Sequence, residues 1–228
     1  TGWAAGDWDN IQFFDASIDA DLGGATPASA NYTSGSILEY VIVEYGGTDS
    51  NGAIAIDTSA PLISNAIIRN NSGAGIYVDN TPSSFNVTNS TSTYNGTGIY
   101  FAWGSNANMT LSGNVFTHNT GTGIENNSRM QLTISSNTIS YNGGNGITTI
   151  HGAITNNTIT YNSNSGIQVY QNAGQPITVQ NNIIVGNTAS TGAGIYIHTY
   201  CTNTISNNII SHNTATGNGG GIYHSGIG

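Results

Sequence analysis

The chain has 228 residues and a formal net charge of −9, yet only 6% of its residues are charged. The two cations are Arg69 and Arg129, so no basic stripe exists to hold nucleic acid. With 37% hydrophobic residues the chain is not an acidic disordered tail. No apolar run is long enough to insert into a membrane, and 31 glycines without a Gly-X-Y period exclude collagen.

In chain order, residues 1–16 form a short lead-in with Trp3 and Trp8, which read as packing residues over the first coil, and a first apolar run, Ile11-Gln12-Phe13. A start at Thr1 with no leader reads as a processed chain or an excerpt, and the expected location is secreted, at an extracellular surface. Residues 17–34 read as an insertion in the first coil (1–35), and 36–228 as regular rungs of the same single domain. Asp15, Asp19 and Asp21 loosely resemble a calcium loop, without the distal Glu such a loop needs. SGSILEYVIVEYGG (34–47) then occupies one rung.

From residue 65 a pattern repeats: NAIIRN (65–70), STSTYN (90–95), NVFTHN (114–119), NTISYN (137–142), NTITYN (157–162), NIIVGN (182–187) and NIISHN (208–213). The second Asn falls at Asn70, Asn95, Asn119, Asn142, Asn162, Asn187 and Asn213, at intervals of 25, 24, 23, 20, 25 and 26, with Gly46 in the equivalent place one rung earlier. A small residue followed by Ile recurs in phase, from Ala53-Ile54 through Gly75-Ile76 to Gly221-Ile222. Each repeat holds short runs rich in Ile, Val and Thr between turn-forming Asn, Gly and Ser. Such runs are too short for helices and lack the helical period. A variable period with fixed markers is that of an all-β parallel solenoid whose turns absorb insertions. About nine rungs spaced ~4.8 Å apart make a rod roughly 40 Å long. The repeated Asn is expected to form a ladder of stacked side-chain amides. Few leucines are present, which sets aside a leucine-rich repeat.

The NxIxxN…GI rungs resemble the right-handed parallel β-helix repeats of pectate-lyase-like and related carbohydrate-active proteins. The opening through SGSILEYVIVEYGG resembles bacterial and archaeal extracellular β-helix repeat proteins. The resemblance implies the fold over nearly all of the chain and leaves function open, since this fold hosts lyases, hydrolases, adhesins and fibres. It also implies what an active member would carry: a Lys or Arg base with calcium-binding carboxylates, or clustered aspartates.

Little of that chemistry is visible. Asp79 and Glu125 are expected two rungs apart, roughly 10 Å, at the far limit for glycoside hydrolysis, and read as solvated surface carboxylates. Arg69 and Arg129 lie on different coils. His118 and His212 share one repeat position four rungs apart, and His198 and His224 read as exposed neighbours, so no metal site is assigned. Cys201 reads as a small buried residue. The residue after each inward Ile should point outward, giving the row Tyr77, Tyr100, Glu125, Thr148, Gln168, Tyr196, Tyr223; its Tyr77, Tyr100, Glu125, Tyr196 and Tyr223 are the candidate binding residues. A second aromatic row precedes the ladder Asn: Tyr45, Arg69, Tyr94, His118, Tyr141, Tyr161, Gly186, His212. Tyrosine rows suit sugar or protein contacts, and equally suit strands as such. Glycosylation sequons outside the ladder stand at Asn31, Asn86, Asn89, Asn108, Asn126 and Asn156.

The expected function is an extracellular structural or adhesive surface protein, whose ends meet other copies head to tail in a filament. Beside it stands a carbohydrate-active β-helix: a glycan-binding module, or a polysaccharide lyase or hydrolase. Ice binding by flat rows around Thr138 and Thr158 is a third reading, weakened where the matching positions read Ala66, Val115, Ile183 and Ile209.

Overall fold

A computed structural model describes residues 2–21, 32–48, 51–80, 84–102, 108–128, 130–170, 176–198 and 201–225. Among these every regular element is a β-strand and every strand pair in the solenoid is parallel. Three sheets run along the rod. Sheet A has nine strands: Ile11–Phe13, Ile54–Asp57, Ala74–Asp79, Thr97–Phe101, Ile124–Asn126, Ile147–Thr149, Ile167–Tyr170, Ile195–His198 and Ile222–His224. Sheet B has eight, from Ile37–Glu39 to Thr204–Ser206. Sheet C has eight: Ile42–Glu44, Ile67–Arg69, Thr91–Thr93, Val115–Thr117, Thr138–Ser140, Thr158–Thr160, Ile183–Val185 and Ile209–Ser211. The chain visits A, B and C in turn, so the nine strands of sheet A enclose eight turns, one fewer than the nine rungs expected.

The Ile of the repeated Gly-Ile pair drives the stack. Ile54, Ile76, Ile99, Ile124, Ile147, Ile167 and Ile195 pair in register and are all 0% exposed. Each such side chain contributes about 1.5–3 kcal/mol by leaving water. Strands of three to six residues, marginal alone, persist because each inner strand is paired on both sides and packs on the shared core.

Every connection from sheet B to sheet C is two residues long, for example Asn156-Asn157 between Gly152–Thr155 and Thr158–Thr160. The first takes a left-handed conformation: Asn65, Asn89, Asn156, Asn181 and Asn207 have φ between 49° and 58°, which Asn tolerates better than most residues. The second points inward. Connections from A to B and from C to A vary in length and carry the inserted residues. The described part of the first insertion closes through an antiparallel bridge, Asp21 to Ser34.

Two buried amide ladders follow the turns. In one, Asn119 Nδ2 donates to Asn142 Oδ1 (3.0 Å), Asn142 to Asn162 (2.9 Å), Asn162 to Asn187 (2.9 Å) and Asn187 to Asn213 (2.9 Å). Its first amide is Asn71, which donates to Asn95 (2.9 Å). Asn70, expected there, instead forms the left-handed corner at φ 57°. The paired strands Ile67–Arg69 and Thr91–Thr93 set Asn70 beside Tyr94 and Asn71 beside Asn95. Gly46, whose N–H donates to Asn71 Oδ1 (2.8 Å), precedes Asn71 in the same column. The second ladder was missed in the sequence. It runs Asn114, Asn137, Asn157, Asn182, Asn208, the first Asn of the last five repeated hexapeptides.

Candidate functional site

Sheet C turns outward a face built on one backbone rule. In each three-residue strand the middle side chain goes to the core and the two flanking ones face out. Over four consecutive rungs the first column reads Thr91, Val115, Thr138, Thr158 and the second Thr93, Thr117, Ser140, Thr160. A third column follows at the corner: Tyr94, His118, Tyr141, Tyr161. No member of this plateau is Asp, Glu, Lys or Arg. The ion pair between Arg69 Nε and Glu44 Oε2 (2.7 Å) closes its upper end.

The corner column is a continuous aromatic stack. Ring centroids lie 5.3 Å apart from Tyr94 to His118, 5.1 Å from His118 to Tyr141 and 5.2 Å from Tyr141 to Tyr161, with interplanar angles of 29°, 19° and 14°. Each of these residues has φ of 55° or 56°. The other left-handed corner of the coil is mostly Asn. A ring-bearing residue is costlier there, by roughly 1–2 kcal/mol for residues without Gly's freedom. The stack ends at Gly186 (φ 73°), where a Cβ would lie 2.6 Å from the Tyr161 ring. Tyr94, Tyr141 and Tyr161 are 57%, 52% and 51% exposed. Because neighbouring rings cover each other's faces, the column offers ligands one ring edge per rung, with hydroxyls at Tyr94, Tyr141 and Tyr161 and an imidazole at His118. Thr117 Oγ1 lies 2.9 Å from His118 Nδ1 and 3.2 Å from Ser140 Oγ, joining the columns.

The outward row of sheet A has the register expected from the sequence. Tyr77 pairs with Tyr100, Tyr100 with Glu125, Glu125 with Thr148, Thr148 with Gln168, Gln168 with Tyr196 and Tyr196 with Tyr223. Tyr77 and Tyr100 stack at 5.5 Å, Tyr196 and Tyr223 at 5.7 Å. Ala74, Thr97 and the first pair line a shallow cavity of about 310 Å³. Glu125 accepts from Asn127 Nδ2 (3.1 Å), which also donates to Tyr100 Oη (3.3 Å). Asp79 is not the isolated surface carboxylate expected. It pairs in register with Asp57 one rung away, and each has an Oδ1 shut off from water without a hydrogen-bond donor. The parallel runs IAID (54–57) and IYVD (76–79) carried that signal.

Burial, then Asp79, Tyr100 and Asp57, raise the Tyr77 phenol above the usual 10.0. A phenol whose folded pKa is raised keeps its proton longer in the fold than in the unfolded chain. Its contribution is complete below pH 10 and is lost as pH rises through the folded value. Chemical denaturation across that range should show stability falling with pH, and Tyr77→Phe should flatten the decline; an unchanged slope in the variant would remove Tyr77 as its source.

Several other candidates are separated. His224 pairs with Ile197 and His198 stands beside Ser225, with Nδ1 2.8 Å from its Oγ, so the two imidazoles leave opposite faces of the sheet. Asp19 Oδ1 accepts the Ala60 N–H (2.7 Å), Asp15 is exposed, and among the described residues no three His, Cys, Asp or Glu side chains gather as a metal site. Cys201 is half-buried rather than buried. Trp8 packs on the core and donates Nε1–H to Glu44 O (2.9 Å), while Trp3 is 76% exposed beside Tyr45. In the Thr rows Ile67, not Ala66, occupies the matching position. Of the sequons, Asn86 and Asn126 are buried at 7% and 0%, Asn126 donating to Met130 O (3.2 Å) and Thr149 Oγ1 (3.3 Å), so neither is open to glycosylation. Asn89, Asn108 and Asn156 are exposed. Asn31, Trp103 and Arg129 lie outside the described residues.

Residues 26–184, 104–210 and 151–227 match the family described as right handed beta helix region. No curated protein and no solved structure matches the chain.

Proposed function

Since the chain belongs to the right-handed β-helix family, whose fold leaves function to groups on the rod's surface, we propose that it is an extracellular adhesive protein that holds a neutral polysaccharide along the rod axis. The observation that carries this reading is the stack Tyr94, His118, Tyr141, Tyr161, placed in left-handed backbone where Asn would sit at less cost. Backbone strain retained at an exposed place points to a use for the side chain. The ring centroids advance by 5.1–5.3 Å per rung, close to the advance per sugar of an extended β-linked chain. The adjoining threonines add hydroxyls without charge, as a neutral polymer requires, while Ser140 is covered at 7% exposure. An acidic polymer would instead meet a chain of net charge −9.

The test is sedimentation with insoluble neutral polysaccharides, cellulose and chitin among them, using the unmodified chain, Tyr141→Ala and Tyr161→Ala, with Tyr196→Ala on sheet A as control. Loss of a hydroxyl and ring edge costs about 1.4 kcal/mol, so each corner variant should bind roughly tenfold more weakly while Tyr196→Ala binds normally. Binding to none of these polymers, or equal binding by all variants, would reject the proposal.

A further inference from the structure

We propose that Tyr141 and Tyr161 form an oxidative modification site, where hydrogen peroxide acting through a haem peroxidase joins consecutive rungs by a dityrosine bond. This goes beyond glycan binding and does not depend on it. The rings are one rung apart, 5.2 Å between centroids and 14° from parallel. Both are about half exposed, 52% and 51%, so an oxidant reaches them and each ring edge has room to turn.

The surroundings make the pair selective. Within the corner stack Tyr94 has His118 as its ring neighbour rather than another phenol, and Gly186 follows Tyr161. Tyr141 and Tyr161 are therefore the stack's adjacent phenols. Tyr77–Tyr100, Tyr170–Tyr196 and Tyr196–Tyr223 are also adjacent on sheet A, but Tyr77, Tyr100, Tyr196 and Tyr223 are half-buried, and Tyr170, 46% exposed, meets Tyr196 edge-on at 60° rather than in a stack. Both methionines are withdrawn from oxidant, Met109 and Met130 being 2% and 0% exposed. Cys201 is half-buried and Trp3 is 76% exposed, and neither of these is a ring neighbour of the Tyr141–Tyr161 pair.

The chemistry balances. Each phenol gives up its O–H hydrogen as a proton and an electron, leaving a phenoxyl radical with density on the ring carbon next to the oxygen-bearing one. The two radicals pair, forming one Cε–Cε bond, and the hydrogens on those carbons shift to the oxygens and restore both phenols. The peroxide O–O bond breaks and takes up the two electrons and two protons, giving two waters. The protein loses two hydrogens per link.

The experiment treats the folded chain with hydrogen peroxide and a haem peroxidase, then follows dityrosine fluorescence, intact mass and peptide mapping. The expected product is a monomer lighter by two hydrogens and linked between Tyr141 and Tyr161. Tyr141→Phe and Tyr161→Phe should each abolish that product while keeping the ring and hence the stack; Tyr40→Phe should not. Tyr40 is the decisive control because at 78% it is the more exposed phenol. If exposure governs, coupling through Tyr40 gives linked dimers. Dimers as the main product, a monomer link mapped elsewhere, or no dityrosine would each overturn the proposal.

Discussion

Asn142→Ala should lower the stability of the rod by roughly 3–5 kcal/mol, read as a fall in the denaturant midpoint by circular dichroism. Asn142 Oδ1 accepts from the Asn119 N–H (3.1 Å) and Asn119 Nδ2 (3.0 Å), while Asn142 Nδ2 donates to Phe116 O (3.1 Å) and Asn162 Oδ1 (2.9 Å). The side chain is 0% exposed. Alanine leaves two donors of Asn119 facing a dry void, and each buried polar group left unpaired costs about 1–3 kcal/mol. Water has no direct path to repair them, and truncation adds a cavity. Because rungs couple only to their neighbours, the break falls in mid-rod and weakens cooperation between its halves. A loss below about 1 kcal/mol would mean that the ladder relaxes around the gap.

Gly146→Ala should be comparably harmful, about 2–3 kcal/mol by the same measurement, although it only adds a methyl group. An ideal Cβ there meets Gly166 O at 2.6 Å, Ile159 Cγ2 at 2.8 Å and Asn162 Nδ2 at 2.9 Å. One contact is the next rung's backbone and another is the ladder itself, so the rungs must move apart. Overpacking of this kind costs about 1–3 kcal/mol. The same geometry explains why a small residue precedes the inward Ile at Gly75, Gly98, Gly123, Gly166 and Gly194. Ala53 occupies the column one strand from the end of sheet A, where the outer coil has less to hold it. Wild-type stability in Gly146→Ala would show that mid-rod spacing is equally yielding.

These two markers, the Asn and the Gly-Ile pair, made the solenoid legible, because the interior of each coil demands the same groups at each step. The outward register of Tyr77, Tyr100 and Glu125 followed from strand alternation alone. The error at Asn70 has a physical origin. NAIIRNN (65–71) offers two adjacent isoleucines, Ile67 and Ile68, and two adjacent asparagines. Either Ile satisfies the core pattern, and a slip of one residue exchanges inside for outside. The plateau on sheet C was hidden for another reason. The aromatic column was visible as a spacing, but whether it faced out depended on a left-handed corner that Tyr does not ordinarily signal. Asp57 and Asp79 each stand three residues after the marker Ile, at Ile54 and Ile76, so their pairing was legible in the same marker.

The step between sheets B and C is fixed at two residues, while the steps from A to B and from C to A vary, which divides the labour of the coil. One ladder and its left-handed corner lie in the constant step, and the other ladder with its corner follows directly after sheet C. Descent with duplication could therefore lengthen, shorten or replace A-to-B segments one by one without rewriting the interior. Along that edge successive segments are about 4.8 Å apart, which makes the rod a natural rack for displaying different peptides in a set order. An engineer could use the same edge to mount several loops of choice, each addressed by its rung.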